Sequence, residues 1–328
     1  MISIGIAAYN EENNIGKCLS YLKSQLKELN LLKSSEIIVC LNGCNDKTGK
    51  IVKRFKKDSL NKLRIIHARK GKLNAHKKIL EKINHKNPVL FCDADVLVPK
   101  ETILAIIRTF DEDKNAKVVS GYPSTIEPYK TNWYQKIIYY VLNLKRIHPK
   151  IEVAKADVSK YHGLKEKDSF IKRSRIYFHG RFFGIKNKDV YKFPKKGSKI
   201  RGDDTFLTRV ALLKFGPGSI KVLFSSPVYC MPLHSIKDYL KSEYRIRKDI
   251  DMIKQEYPEF DEINKNTKMT LNWEYYKTLD IENKVYALLF LILKSYEKYS
   301  YILLRRFINL DSIWSYDNKE AIRRFSKK

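Results

Sequence analysis

The stretch Pro88-Val89-Leu90-Phe91-Cys92-Asp93-Ala94-Asp95-Val96 runs an apolar, strand-prone segment into two carboxylates one residue apart. A buried strand that stops on Asp-Ala-Asp delivers two anionic groups to the crevice beyond the carboxyl ends of the strands, where ligands of open α/β sheets lie. Carboxylates suit hard divalent cations, and Mg2+ sites commonly combine one or two of them with substrate phosphates. The pair also has an ordinary reading, as acids that end a strand and open a turn, because an isolated Asp-x-Asp is a weak motif.

Upstream of it, strand-like and helix-like segments alternate. Ile2 to Ala8 is a short apolar run, followed by Ile15, Cys18, Leu19, Leu22, Leu26 and Leu29 at helical spacing. Glu36 to Leu41 and Leu63 to His67 are two more strands. Helices marked by Ile51, Val52 and Phe55, and by Leu73, His76, Ile79, Leu80 and Ile83, lie between and after them. Downstream, Ile103, Leu104, Ile106, Ile107 and Phe110 predict a helix and Lys117 to Tyr122 a fifth strand. This alternation predicts an α/β fold, with a mostly parallel central sheet covered by helices on both faces.

Beyond residue 125 the pattern loosens. Trp133 to Leu144 fits a helix or a packed loop. Tyr177 to Ile185 restores order, Asp203 to Leu213 reads as a helix, Ser219 to Ser225 and Val228 to Leu233 as strands, and Ile236 to Ile253 as a basic helix. The expected organisation is one α/β domain over 1–255, with halves at 1–125 and 126–255, and a helical tail over 256–328. In that tail Val285 to Leu293 is intensely apolar, but Lys294, Glu297 and Lys298 interrupt it before a run long enough to span a bilayer. It reads as a core helix or as an interfacial one.

The 328 residues carry 65 Lys and Arg against 36 Asp and Glu, a net charge of +29. Such a field favours a polyanion, an anionic membrane surface or an acidic substrate. From Lys145 to Arg201 there are 18 basic and 5 acidic residues, a local net of +13. The five cysteines are scattered without metal-site or disulfide spacing, which fits a reducing compartment, and the first residues read as a strand rather than a leader. The expected location is cytoplasmic, with a peripheral position on the inner membrane face open.

Four short motifs occur in order, each after a strand or at a helix start. They are Ala8-Tyr9-Asn10-Glu11-Glu12, Asn42-Gly43-Cys44-Asn45-Asp46, Gly71-Lys72 and Asp93-Ala94-Asp95. Together they resemble the family 2 inverting, nucleotide-sugar-dependent glycosyltransferases of the GT-A (Rossmann-like) fold, over roughly residues 1–250. The resemblance implies that Ala8, Tyr9, Glu11 and Asn42 line the nucleoside and that Lys72 reaches a phosphate. It also implies that Asp93 and Asp95 serve the ribose and a Mg2+ or Mn2+ ion, with His234 as a further ligand. Asn42 stands where the family usually has Asp, and its side chain both accepts and donates hydrogen bonds.

Farther on, Gly180 to Asp189 resembles the segment beneath the acceptor. Gly202-Asp203-Asp204 resembles the acidic pair whose second member is the catalytic base, which assigns that role to Asp204 with Asp203 as the next candidate. Arg245 and Arg247 match the arginines of a Gln-Arg-x-Arg-Trp signature and are implied by the resemblance to hold the donor's diphosphate, whereas Tyr244 and Lys248 replace its Gln and Trp. The implied partners are a nucleotide-sugar donor and a glycan or lipid-linked acceptor, in the synthesis of a cell-surface glycan or lipid-linked saccharide. Two other classes compete. A haloacid-dehalogenase-type phosphatase would use Asp93 as nucleophile, but its acidic pair follows the first strand, not the fourth. A nucleic-acid-binding protein is indicated by charge alone, without a recognisable module.

Overall fold

The computed structural model describes residues 2–59, 62–83, 87–125, 137–141, 171–173, 178–233, 235–265 and 269–306. In chain order the elements are β1 (Ile2–Ala8), α1 (Ile15–Glu28), β2 (Ser35–Asn42), α2 (Thr48–Ser59), β3 (Leu63–Ala68), α3 (Lys72–Glu81), β4 (Val89–Asp93), β5 (Val96–Leu97), α4 (Lys100–Glu112), β6 (Val118–Thr125), β7 (Ile171–Arg173), β8 (Phe182–Ile185), α5 (Asp203–Phe215), β9 (Ile220–Cys230), α6 (Ile236–Glu256), α7 (Asp261–Lys265), β10 (Met269–Leu271), α8 (Trp273–Thr278) and α9 (Ile281–Leu304).

Eight strands form one sheet in the order β3-β2-β1-β4-β8-β6-β9-β5. β3, β2, β1 and β4 run parallel, with Ile6 beside both Val39 and Cys92. β8 is antiparallel to both β4 and β6, so those two point the same way and most of the sheet shares one direction. The α/β architecture read from the alternation is present. The core collects the inward faces of these strands: Ile4, Ile6, Leu90 and Cys92 meet Leu19 and Leu22 of α1 and Ile103, Ile106 and Phe110 of α4. On the strand that carries the chain into the sheet, Gly5 leaves room for α3. A Cβ there would lie 2.6 Å from Ile79 Cγ2, so any side chain would push α3 and its first residue, Lys72, off the sheet.

The strands differ from expectation in two places. The opening stretch forms a strand that stops at Asp93, as read, and what the sequence did not indicate is the short β5: after a turn at Ala94 and Asp95, Val96 and Leu97 pair with Tyr229 and Cys230 on β9. Conversely, the two strands expected around Pro227 are one. Proline lacks only its own N–H, and Pro227 keeps a useful carbonyl, which accepts a 2.8 Å hydrogen bond from the Thr102 hydroxyl.

The described residues cluster into two compact units, the first up to Pro123 and from 178 to Cys230, the second of Ser124, Thr125, 137–141, 171–173 and those from Met231 on. In the second unit α6 and α9 pack together around Tyr239, Leu279, Tyr286, Ala287 and Phe290. β10 and β7 form a separate antiparallel pair. No described helix is long and apolar enough to cross a membrane. Most of the basic stretch from Lys145 to Arg201 lies outside the described residues before 178.

Candidate active site

The first unit gathers the sequence motifs at the carboxyl ends of its parallel strands. After β1, Ala8 is buried, and the ring of Tyr9 is covered by the Lys70 ammonium at 4.7 Å from its centroid. Asn42 ends β2 at 3% exposure, with no hydrogen-bond partner for Oδ1 among the described residues. Between them the two loops are laced together. The Glu11 N–H donates to Thr48 Oγ1 (2.7 Å), Asn45 N–H to Asn10 Oδ1 (3.0 Å) and Lys47 N–H to Glu12 Oε2 (3.0 Å). The Glu11 carboxylate accepts from Asn14 Nδ2 (2.7 Å). Both glutamates therefore shape the loops, and Glu11 contributes through its backbone as much as through its charge. A cleft lined by Gly43, Cys44, Asp46, Lys50, Lys53 and His67 opens beside these loops.

The acidic motifs converge on one cation. Lys72, the first residue of α3, places Nζ 2.7 Å from Asp93 Oδ1, 3.3 Å from Asp203 Oδ2 and 2.9 Å from the Gly180 carbonyl that it bonds. Thus the end of β4, the start of α3, the turn before β8 and the head of α5 share one ammonium. Burial works against that charge, but Asp203 and Asp93 outweigh it and hold Lys72 above its ordinary value. Gly180 makes this crossing close: a Cβ there would lie 3.1 Å from Asp203 Oδ2 and 3.2 Å from Asp204 Cβ, so the acidic pair would have to give way by a few tenths of an ångström. Its N–H donates to Asp204 Oδ2 (3.1 Å) while the Thr205 N–H donates to Asp204 Oδ1 (2.7 Å), which fixes the plane of that carboxylate.

Asp203 is the more buried of the acidic pair, with its side chain 7% exposed. Burial raises its pKa to about 7; Lys72 opposes that rise, whereas Asp204 and Asp93 add to it. Behind it His76 Nδ1 lies 3.8 Å from Asp203 Oδ2 and shares a 2.8 Å hydrogen bond with the Tyr191 hydroxyl. Burial, then Lys72, keeps the imidazole well below its ordinary pKa, so it is neutral and its approach to Asp203 is not an ion pair. Phe91 and Phe183 close the pocket around the ring.

Asp95 lies beside Arg181, whose Nη1 is 3.7 Å from its Oδ2. Four carboxylates, Asp93, Asp95, Asp203 and Asp204, thus face two cations, Lys72 and Arg181, and leave a local negative excess inside a strongly basic chain. That donor set fits a divalent cation whose remaining ligands come from a diphosphate. Among the described residues no group of three acidic, His or Cys side chains is placed to chelate a metal alone. His234 lies outside the described residues. Arg245 and Arg247 belong to α6 in the second unit, where Arg247 pairs through Nε and Nη2 with the buried Glu297.

Sequence reasoning did not assign roles to Arg181, His76 and Tyr191. His76 sat on an apolar helical face and passed as core. Arg181 stood within the quoted acceptor segment, where its place beside Gly180 was the available signal.

The parallel strands thus end on a buried Asn42, a shared lysine and paired acids, at the edge where open α/β sheets bind their ligands. Residues 3–190 match the glycosyl transferase family 2. The chain belongs to that family and is a glycosyltransferase, which decides among the three function classes. The match ends before the acidic pair of α5 and the arginines of α6. No curated protein matches. Solved structures with similarity include glucosyl-3-phosphoglycerate synthase from Mycobacterium tuberculosis, at 13% identity and TM-score 0.48, covering 78% of this chain and 79% of that one. The mannosyltransferase PcManGT from Pyrobaculum calidifontis, in complex with GDP-Man and Mn2+, shares 16% identity at TM-score 0.49, covering 76% and 61%. Residues 1–349 of TarS from S. aureus share 16% at TM-score 0.45, covering 78% and 66%. None is similar enough to add to what the family match says.

Proposed function

We propose that the enzyme transfers a single sugar, with inversion, from a nucleoside diphosphate sugar to an acceptor hydroxyl. The observation that carries this reading is the convergence of Asp93, Asp203 and Gly180 on Lys72, which sets the acidic pair of α5 beside the acids that end β4. The base pocket is assigned to Ala8, Tyr9, Glu11 and Asn42. The buried Asn42 Oδ1 suits an imide or amide N–H of the base.

Asp204 is assigned as the general base. The two backbone N–H groups that hold its carboxylate orient it to take the acceptor proton as the acceptor oxygen attacks the anomeric carbon. The new bond forms on the face opposite the departing diphosphate, so one displacement inverts the centre. Asp95 and Asp93 would hold a Mg2+ or Mn2+ ion, which when bound neutralises charge on the leaving diphosphate. Burial raises the pKa of Asp93 and Lys72 opposes that rise while holding the carboxylate in place; Arg181 lies beside Asp95. We assign the pathway to a lipid-linked or anionic acceptor at the cytoplasmic membrane face.

The test is Asp204→Asn, which keeps the size of the side chain but cannot accept the proton. Donor binding, read by thermal shift across UDP-, GDP- and TDP-sugars with Mn2+, is expected to stay within about twofold. Transfer is expected to fall about 10²-fold or more. Transfer at the wild-type rate would move the base to another residue.

A further inference from the structure

Helix α9 has two unlike faces, and its rotation is fixed. Tyr286, Ala287, Phe290 and Tyr301 point into the second unit's interior. Lys294 and Glu297, which interrupt the apolar run in sequence, also point inward. Lys294 Nζ reaches Glu243 Oε2 (2.5 Å) and Glu297 Oε2 (2.8 Å), and Glu297 meets Arg247. The Tyr301 hydroxyl donates to Asp251 Oδ2 at 2.6 Å. Two of the three charges that break the run, Lys294 and Glu297, are thus turned inward, while Lys298 stays exposed.

That outer face is apolar without interruption. Val285, Leu288, Ile292, Tyr296, Tyr299 and Leu303 recur every three or four residues and are 50–76% exposed. They form one stripe about 27 Å long at the helical rise of 1.5 Å per residue. Between Lys284 and Lys298 no charged side chain is exposed on the helix. Cations mark its C-terminal end, where Lys298 lies beside the last turns of the stripe and Arg305 and Arg306 follow it, all exposed, whereas at the other end Lys284 stands beside the exposed Glu282 and Asp280. An apolar stripe of this width, with tyrosines and cations toward one end, has the make-up of a helix lying in the headgroup boundary of a bilayer. The charge selects the occupant. A second copy would bring two chains of +29 together and set Lys298, Arg305 and Arg306 against a surface that is itself basic. Anionic lipid accepts both the stripe and its rim.

We propose that α9 docks the enzyme on an anionic lipid surface, its outer stripe in the interfacial region and its inner face held by α6. This rests on the proposed membrane-facing function and names the element that carries it. The test uses the full chain without donor, in co-sedimentation with phosphatidylcholine vesicles, plain or mixed with phosphatidylglycerol. The variant is Leu288→Asp with Ile292→Asp; both side chains are more than half exposed, so it is expected to melt like wild type. Wild type is expected to bind the mixed vesicles, less so at high salt, and the variant to bind at least about tenfold more weakly. Donor binding is expected to be the same in both. If both proteins bind the mixed vesicles equally, α9 is not the docking element, and the membrane reading stands on another basic surface. If wild type binds neither vesicle, both the docking inference and the membrane reading fall while the transferase assignment stands. If wild type ignores vesicles but sediments as a dimer that the variant breaks, the occupant is a second copy and the proposal is overturned.

Discussion

A buried carboxylate ordinarily keeps its charge by collecting donors, and Asp203 collects few. Lys72 faces it together with the carboxylates of Asp93 and Asp204, the neutral His76 and the Tyr191 hydroxyl. With a native pKa of about 7 against an ordinary 3.8, the folded chain binds a proton there that the unfolded chain has lost. Asp203 therefore contributes stability below about pH 4 that is lost as pH rises through about 7. His76 slopes the other way, since it is neutral when folded and charges in the unfolded chain as pH falls below 6.5. Asp203→Asn removes only the first slope. Melting temperatures measured from pH 5 to pH 8 are expected to fall more for wild type than for the variant; parallel profiles would show that Asp203 is charged throughout. Of this cluster, the acids were legible in the sequence because carboxylates at strand ends and helix starts stand out from their neighbours. Its back wall was not. His76 and Tyr191 are 115 residues apart, and nothing local marks their contact.

At the scale of elements, period-2 and period-3.6 patterns placed the strands and helices of the first 125 residues to within a few residues. They failed where a local rule was overruled from elsewhere. Pro227 did not end β9, because the residues on both sides of it stay in one strand while its carbonyl accepts from Thr102. The rotation of α9 was also hidden, because Lys294 and Glu297 look like interruptions until α6 supplies Glu243 and Arg247. Glu297 is fully buried and depends on those two cations, one of which also matched an arginine implied to hold the donor. Arg247→Met separates the roles. Breaking a buried pair costs about 3–5 kcal/mol, but Arg247 is one third exposed and Lys294 remains, so a loss of about 2 kcal/mol is expected in denaturant melts. Wild-type stability with weakened donor binding would instead return Arg247 to the diphosphate.

For the whole molecule the question is what +29 serves. The donor is anionic, yet the groups assigned to it do not draw on that field. The acids at the ends of β4 and α5 outnumber Lys72 and Arg181, and a bound divalent ion would supply the positive charge the diphosphate needs. On the proposed reading, a field of this size acts on the other substrate or on the surface where that substrate lies. Salt can tell these apart, because exposed charges beyond about 8–10 Å are screened at physiological ionic strength while short, partly buried pairs are not. With a short-chain prenyl phosphate as acceptor, raising salt from low concentration to about 0.5 M is expected to raise the acceptor KM about tenfold. The donor KM is expected to move less than about threefold and kcat to hold, since the site's own pairs survive screening. A neutral sugar acceptor, if used at all, is expected to show little salt dependence. A donor KM that climbs as steeply as the acceptor's would mean that the charge draws in the nucleotide sugar instead, and the anionic acceptor would lose its support.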